Sequence, residues 1–71
     1  MSPMEFARFL ILLEHTLEHT REHAEKLEDL ATKAEELGKT EVHDDILKAA
    51  TEMNRATEIL GNALERLKTS Y

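Results

Sequence analysis

The 71-residue sequence contains no cysteine and no tryptophan, and it has only two glycines and one proline. The lack of cysteine excludes disulfides, thiolate metal sites, iron–sulfur ligation and cysteine nucleophiles. The scarcity of glycine and the absence of Asn-Gly or Asp-Gly turns argue against a protein built from β-hairpins. Hydrophobic residues make up 41% and charged residues 34% of the chain, a composition typical of helical proteins. We therefore predict an all-α protein with a single domain over residues 1–71.

Basic residues are also scarce. Nine Lys and Arg residues stand against 15 Asp and Glu residues, which gives a net charge of −6. Because nucleic acids and anionic membranes are bound through basic stripes, we predict neither as a partner. The longest apolar run, residues 9–13, is far shorter than the roughly 20 residues that span a bilayer. No small-residue cleavage site follows this run, so we expect a cytoplasmic protein without a signal peptide.

Helix-boundary residues predict two helices. Ser2 and Pro3 form an N-cap followed by proline at the first helical position, and Gly38 is a C-terminal signal. Thr40 is the expected N-cap of the next helix. The resulting architecture is a helix over about residues 3–37, a turn at 38–40 and a helix over about 41–68. A turn this short makes the helices antiparallel and forms a helical hairpin.

Apolar residues recur in a heptad pattern in both helices, with spacings of four and three residues. In the first helix this seam consists of Phe6, Leu10, Leu13, Leu17, Ala24, Leu27, Ala31 and Ala34, with Thr20 in one polar slot. In the second helix the predicted seam consists of Val42, Ile46, Ala49, Met53, Ala56, Leu60, Ala63 and Leu67. Such seams pack as left-handed antiparallel helices. Gly61, inside the second helix, is interpreted as a position of close contact.

Each helix carries apolar residues beyond its seam. The surplus stripe of the first helix contains Phe9, Leu12, Thr16, His19, His23, Leu30 and Leu37. The second helix has Leu47, Ala50, Ile59, Leu64 and Tyr71. Because a two-helix monomer of this size lacks a sufficient core, we predict a homodimer of hairpins, a four-helix bundle with two-fold symmetry. The alternative is a monomeric hairpin that docks onto another protein.

Three histidines form a column on the first helix. His15, His19 and His23 recur every fourth residue, and a glutamate precedes each of them. Positions four apart lie one above the other on a helix, so two successive histidines can bind one divalent ion. The outer two are separated by about 12 Å along the axis and cannot share an ion. The workable sites are therefore His15 with His19, or His19 with His23.

The helical wheel ranks these histidines. At 100° per residue, His23 lies about 80°, His19 about 120° and His15 about 160° from the centre of the seam. We therefore predict His19 and His23 as primary metal ligands and His15 as an accessory ligand. Glu18 and Glu22 are predicted carboxylate ligands or orienters of the imidazoles. Water or a symmetry-related helix would complete the coordination of Ni²⁺, Zn²⁺ or Co²⁺.

Simpler interpretations of the histidines remain open. Glu-His pairs also form weak ion pairs on helix surfaces, and stacked histidines can make an interface sensitive to pH. The separate cluster of His43, Asp44 and Asp45 is assigned to capping of the second helix. The sequence has no Glu-x-x-His motif, glycine-rich phosphate loop or Ser-His-Asp set, so we predict that the protein is not an enzyme.

The histidine segment carries a resemblance to a known family. Residues 12–25 read Leu-Leu-Glu-His-Thr-Leu-Glu-His-Thr-Arg-Glu-His-Ala-Glu, and residues 34–38 read Ala-Glu-Glu-Leu-Gly. Over residues 10–67 the chain resembles uncharacterised short prokaryotic proteins with a Leu-Glu-His-x-x-x-His-x-x-x-His-Ala helix, a Lys-x-Leu-Gly turn and an Ala-rich second helix. Many of those proteins carry a His-rich tract, which implies handling of nickel, zinc or cobalt. This chain lacks the tract and has Thr16 where the family often has an aromatic residue.

Two functions therefore follow as expectations. The first is a small non-catalytic divalent-metal-binding protein for storage, buffering or delivery. The second is a metal-free dimerisation or adaptor module that binds a partner protein through its surplus apolar stripe.

Overall fold

The computed structural model describes residues 2–70, which form an antiparallel pair of long helices. Helix α1 spans Pro3–Glu36 and helix α2 spans Thr40–Thr69. No strand occurs within residues 2–70. The hairpin measures 54 × 15 × 12 Å, close to the length that 34 helical residues give at about 1.5 Å each. The predicted all-α fold and helical hairpin are confirmed.

The start of α1 follows the predicted chemistry. Ser2 is extended, with φ −72° and ψ 159°, and Pro3 is the first helical residue. The Ser2 hydroxyl oxygen accepts a hydrogen bond of 3.2 Å from the backbone N–H of Glu5. This bond satisfies one of the amides that an N-terminal turn leaves unpaired.

The turn between the helices is a Schellman motif. Gly38 has φ +72°, and its N–H donates to the carbonyl of Glu35 at 2.9 Å, while Lys39 N–H donates to the carbonyl of Ala34 at 2.9 Å. This pattern of two bonds closes a helix around a left-handed residue. Lys39 is at once the last residue of the motif and the N-cap of α2. Thr40 is therefore the first residue of α2, and its prediction as N-cap was wrong.

The predicted seam of α1 is confirmed. Leu17, Ala24, Ala31 and Ala34 are buried, and the other seam positions are half-buried. The hydroxyl of Thr20, the polar residue of this seam, is hydrogen-bonded within α1, because it donates to the carbonyl of Thr16 at 2.8 Å.

The predicted seam of α2 was wrong at alternate positions. The residues that face α1 are His43, Ile46, Ala50, Met53, Thr57, Leu60, Leu64 and Leu67. Ala50 and Leu64 are buried, whereas Ala49 and Ala63 are exposed. The helix is thus turned by about 50° from the predicted orientation. The predicted and observed seams share Ile46, Met53, Leu60 and Leu67. They differ only in the residues between these positions.

Nearby polar partners lower the cost of burying the polar residues of this seam. The Thr57 hydroxyl donates to the carbonyl of Met53 at 2.9 Å, and His43 has carboxylate neighbours described below. The large side chain of Leu64 gains more from burial than the small one of Ala63, because buried apolar area sets the gain. Apolar counting alone favoured the uniformly apolar series that contains Val42 and Ala49.

The core of the hairpin is thin. Within the described part of the chain, the buried side chains are four alanines and two leucines: Leu17, Ala24, Ala31, Ala34, Ala50 and Leu64. An alanine-lined seam brings helices close but buries little apolar area. Gly61 does not mark a close approach as expected, because a Cβ added there would meet no atom within 4 Å. Tyr71, assigned to the surplus apolar residues, lies outside the described residues.

Neither helix within residues 2–70 has the length and apolarity that crossing a bilayer requires.

Candidate metal site and apolar face

His19 and His23, the histidine pair, come together in the middle of α1. Their Nε2 atoms are 3.0 Å apart, and their ring centroids lie 4.5 Å apart with the planes at 88°. Both residues are exposed. The pair needs no tertiary contact, because side chains four residues apart meet on an uninterrupted helix.

The two ring centres do not lie in line with the two Nε2 atoms. A straight N–H···N bond would hold the ring centres about 5.2 Å apart, since each nitrogen lies about 1.1 Å from its ring centre. The observed 4.5 Å shows that the ring axes are inclined to the line between the nitrogens. Lone pairs of two imidazoles that share one ion are also inclined to the line between their nitrogens.

The distance between the nitrogens matches a right-angled coordination. An ion held at about 2.0–2.1 Å from each Nε2 would form an N–metal–N angle of about 94°. Neighbouring ligands in octahedral or square-planar complexes meet at about 90°, whereas tetrahedral ligands require nitrogens about 3.3 Å apart. The spacing of the pair matches that of two adjacent ligands at about 90°.

The other predicted ligands do not join the histidine pair. His15 and Glu22 are exposed on the same helix. Glu18 Oε2 instead accepts a hydrogen bond of 2.7 Å from Arg21 Nη1, and Arg21 lies about 160° around the helix from either histidine of the pair. Among residues 2–70, no three His, Asp or Glu side chains converge into a metal-binding group. The described part of one chain thus brings two imidazole nitrogens together without a third candidate ligand.

His43 has a role that the sequence did not reveal. Its Nδ1 lies 3.1 Å from Asp44 Oδ1, and its Nε2 lies 3.5 Å from Glu35 Oε2 of α1. The residue is half-buried at the first seam position of α2. His43 therefore joins the two helices beside the turn, whereas the sequence assigned it to capping. Its three-residue spacing from Ile46 was the available signal.

One flank of the hairpin is polar. Asn54 Nδ2 of α2 donates a hydrogen bond of 2.9 Å to Glu28 Oε1 of α1, so both lie on the same side of the seam. Residues seven apart share one side of a heptad helix. The other members of this polar flank are Ala7, Glu14, Arg21 and Glu35 of α1 and Thr40, Leu47, Gly61 and Lys68 of α2. Most of these positions carry a charged or polar side chain; the exceptions are Ala7, Leu47 and Gly61.

The opposite flank is apolar. Its members directly precede every other seam residue and are Phe9, Thr16, His23 and Leu30 of α1 and Val42, Ala49, Ala56 and Ala63 of α2. Leu37, the C-cap residue after α1, continues the same spacing. Ala56 is half-buried and the others are exposed. No position of this apolar flank holds a carboxylate or an ammonium group. The two flanks of the hairpin therefore differ sharply in polarity.

A second heptad series runs along α1 and includes the apolar flank. This second seam consists of Phe9, Leu12, Thr16, His19, His23, Lys26, Leu30, Lys33 and Leu37. Its large apolar side chains are 47% (Phe9), 63% (Leu12), 52% (Leu30) and 74% (Leu37) exposed. The histidine pair occupies the middle of this series, with leucines on both sides.

The protein is thus a small all-helical hairpin. Its distinguishing feature is a pair of histidines in the exposed second seam. The model of a family described as a domain of unknown function, DUF8180, matches residues 9–67, and the chain belongs to this family. This agrees with the resemblance to an uncharacterised family. No curated protein and no solved structure matches the chain significantly.

Proposed function

We propose that the protein binds divalent transition-metal ions for storage, buffering or delivery, and that it does so as a homodimer without catalysis. The observation that carries this proposal is the distance of 3.0 Å between the Nε2 atoms of His19 and His23. Imidazole nitrogens are good ligands for Ni²⁺, Co²⁺ and Zn²⁺.

A bound metal ion would take the place of the proton that lies between the two Nε2 atoms of the histidine pair. Without metal, whichever ring carries the Nε2 proton donates it to the Nε2 atom of the other ring. With metal, both Nε2 atoms coordinate the ion and both protons reside on Nδ1. Glu22 and Glu18 then orient bound water or the imidazoles, and His15 acts as an accessory ligand.

Calorimetric titration of the chelator-stripped full chain with Ni²⁺, Zn²⁺ and Co²⁺ tests this proposal. We expect a dissociation constant below about 1 μM at a fixed stoichiometry, equivalent to more than about 8 kcal/mol of binding free energy. The double variant His19→Ala/His23→Ala should lose at least about 100-fold in affinity, because both ligands are gone.

His15→Ala is the matched control, since it removes an exposed histidine of the same column and leaves the pair intact. We expect its affinity to fall less than about tenfold. Wild-type affinity no tighter than about 100 μM would contradict the proposal, because any loose cluster of histidines reaches that level.

The exposed apolar side chains support a second candidate, a metal-free dimerisation or adaptor module. Phe9, Leu12, Leu30 and Leu37 form a row of the kind that binds a partner helix. In that case His19→Ala/His23→Ala changes only dimer stability. Leu12→Asp or Leu30→Asp would be the damaging substitution in a dimerisation or partner-binding assay.

A further inference from the structure

We propose that a second copy of this chain packs on the second seam, antiparallel about a two-fold axis near residue 21, and that the two histidine pairs form one four-imidazole site. The metal part of this inference rests on the proposed function. The interface part rests on the surface of the hairpin alone.

The hairpin exposes more surface than a compact protein of its mass. Its accessible surface is 5615 Å², whereas the scaling for monomers gives about 4,500 Å² at 8.2 kDa. The excess of about 1,100 Å² exceeds the roughly 800 Å² per partner that a standard specific interface buries. Packing of a second hairpin is a direct way to bury this excess.

Electrostatic repulsion limits which face of one copy can contact a second copy. Each chain carries 15 acidic residues and a net charge of −6, so two copies repel each other over most of their surfaces. From Phe9 to Leu37 the second seam contains no acidic residue, and neither does the apolar flank; Glu5, one step before Phe9 in the same series, is acidic. Their charged members, Lys26 and Lys33, have long stems that can cover apolar surface while the ammonium groups reach water or acidic neighbours. This face is therefore where two acidic copies can approach.

The position of the histidine pair sets the register. A two-fold axis at residue 21, midway between His19 and His23, lies within about 2 Å of the middle of α1. Two copies related by this axis overlap over almost their whole length. The axis places Leu12 level with the partner's Leu30, and His19 level with the partner's His23. A shallow depression beside Leu30, lined also by Lys26, Asp29 and Lys33, receives the partner's Leu12 as a knob enters a hole.

This arrangement supplies the ligands that one chain lacks. Each copy offers two Nε2 atoms 3.0 Å apart, and the same axis brings the two pairs to one level. Four imidazoles around one ion, with the remaining positions open to water, make an octahedral or square-planar site suited to Ni²⁺ or Cu²⁺. The expected stoichiometry is one ion per two chains.

Sedimentation equilibrium of the full chain with and without Ni²⁺, combined with calorimetric stoichiometry, tests the inference. Wild type should be a dimer that binds one Ni²⁺ per two chains. Leu30→Glu should raise the dimer dissociation constant more than about 100-fold, because each dimer then loses two apolar contacts and buries two carboxylates.

Ile11→Glu is the matched control. Ile11 and Leu30 are equally exposed, at 52%, but Ile11 lies off the second seam and the apolar flank. It should remain a dimer with unchanged stoichiometry. Circular dichroism of both variants shows whether the helices are retained, as expected for substitutions at exposed positions.

The outcomes separate the two proposals. If monomeric Leu30→Glu binds one Ni²⁺ per chain with wild-type affinity, the shared site is overturned and the metal-binding proposal stands. If wild type is a dimer that Leu30→Glu dissociates but no metal binds, the interface is supported, whereas the metal-binding proposal and the four-imidazole site are overturned. A dimer that survives Leu30→Glu and is dissociated by Ile11→Glu overturns the interface.

Discussion

The chemistry of the candidate site is set by two side chains on one turn of helix. His19 and His23 meet without help from α2, because helix α1 alone brings the two rings together. Their exposure leaves the Nε2 atoms accessible to an ion from solvent. The same exposure means that little besides the helix holds the rings in place, and a second copy would restrict their rotamers.

The geometry of the pair predicts the coordination of a bound ion. With nitrogens 3.0 Å apart, the angle at the ion is about 94°, which favours six-coordinate over tetrahedral Co²⁺. The visible spectrum of the Co²⁺-loaded protein should therefore show the weak absorption of octahedral cobalt. Intense tetrahedral bands that disappear in His19→Ala/His23→Ala would contradict this geometry while leaving metal binding intact.

At the scale of the helices, the two glycines have opposite consequences. Gly38 has φ +72° and closes α1, whereas Gly61 lies within α2 with open space around its missing Cβ. Alanine is strained at a positive φ, but it favours a helix interior over glycine. Replacing each glycine by alanine therefore tests the turn conformation at Gly38 and helix propensity at Gly61.

We predict that Gly61→Ala raises the free energy of unfolding by about 0.5–1 kcal/mol, because alanine lowers the entropy cost of the helix and no neighbour obstructs its Cβ. Gly38→Ala, the contrasting variant, should lower that free energy by about 1–2 kcal/mol. Urea unfolding followed by circular dichroism measures both changes. A destabilised Gly61→Ala protein would show that another chain packs closely against this position.

At the scale of the whole molecule, the hairpin is long and thin. Its radius of gyration is 16.2 Å, against about 11 Å for a compact domain of this length. Its core consists mostly of alanine, and the sequence has no cysteine for a disulfide. Small proteins without such staples commonly obtain their stability from association.

The midpoint of thermal unfolding should therefore depend on protein concentration. We expect it to rise measurably over about a 100-fold increase in concentration, and to rise further with Ni²⁺, because dimerisation and metal binding both favour the folded chain. Leu30→Glu should lose the concentration dependence, and Ile11→Glu should retain it. A wild-type midpoint that is constant over this range would contradict a dimer whose assembly is coupled to folding.

Local patterns in the sequence were sufficient for much of this molecule. The cap at Ser2, the break at Gly38 and the seam of α1 each depend on residues within one or two helical turns, and short-range physics governs such features. The histidine column belongs to the same class, because helical periodicity alone places its members on one face.

The tertiary structure decided the orientation of α2 and the role of His43. Two apolar series in α2 share every second member, so periodicity could not choose between Ala63 and Leu64. Packing against α1 made that choice, because burial of Leu64 removes more apolar area from water. His43 in the seam has a local partner in Asp44 and a second partner in Glu35 across the turn, and no local pattern contains the second. Turning α2 in this way leaves Ala49 and Ala63 exposed on the apolar flank, and only the folded hairpin reveals that face.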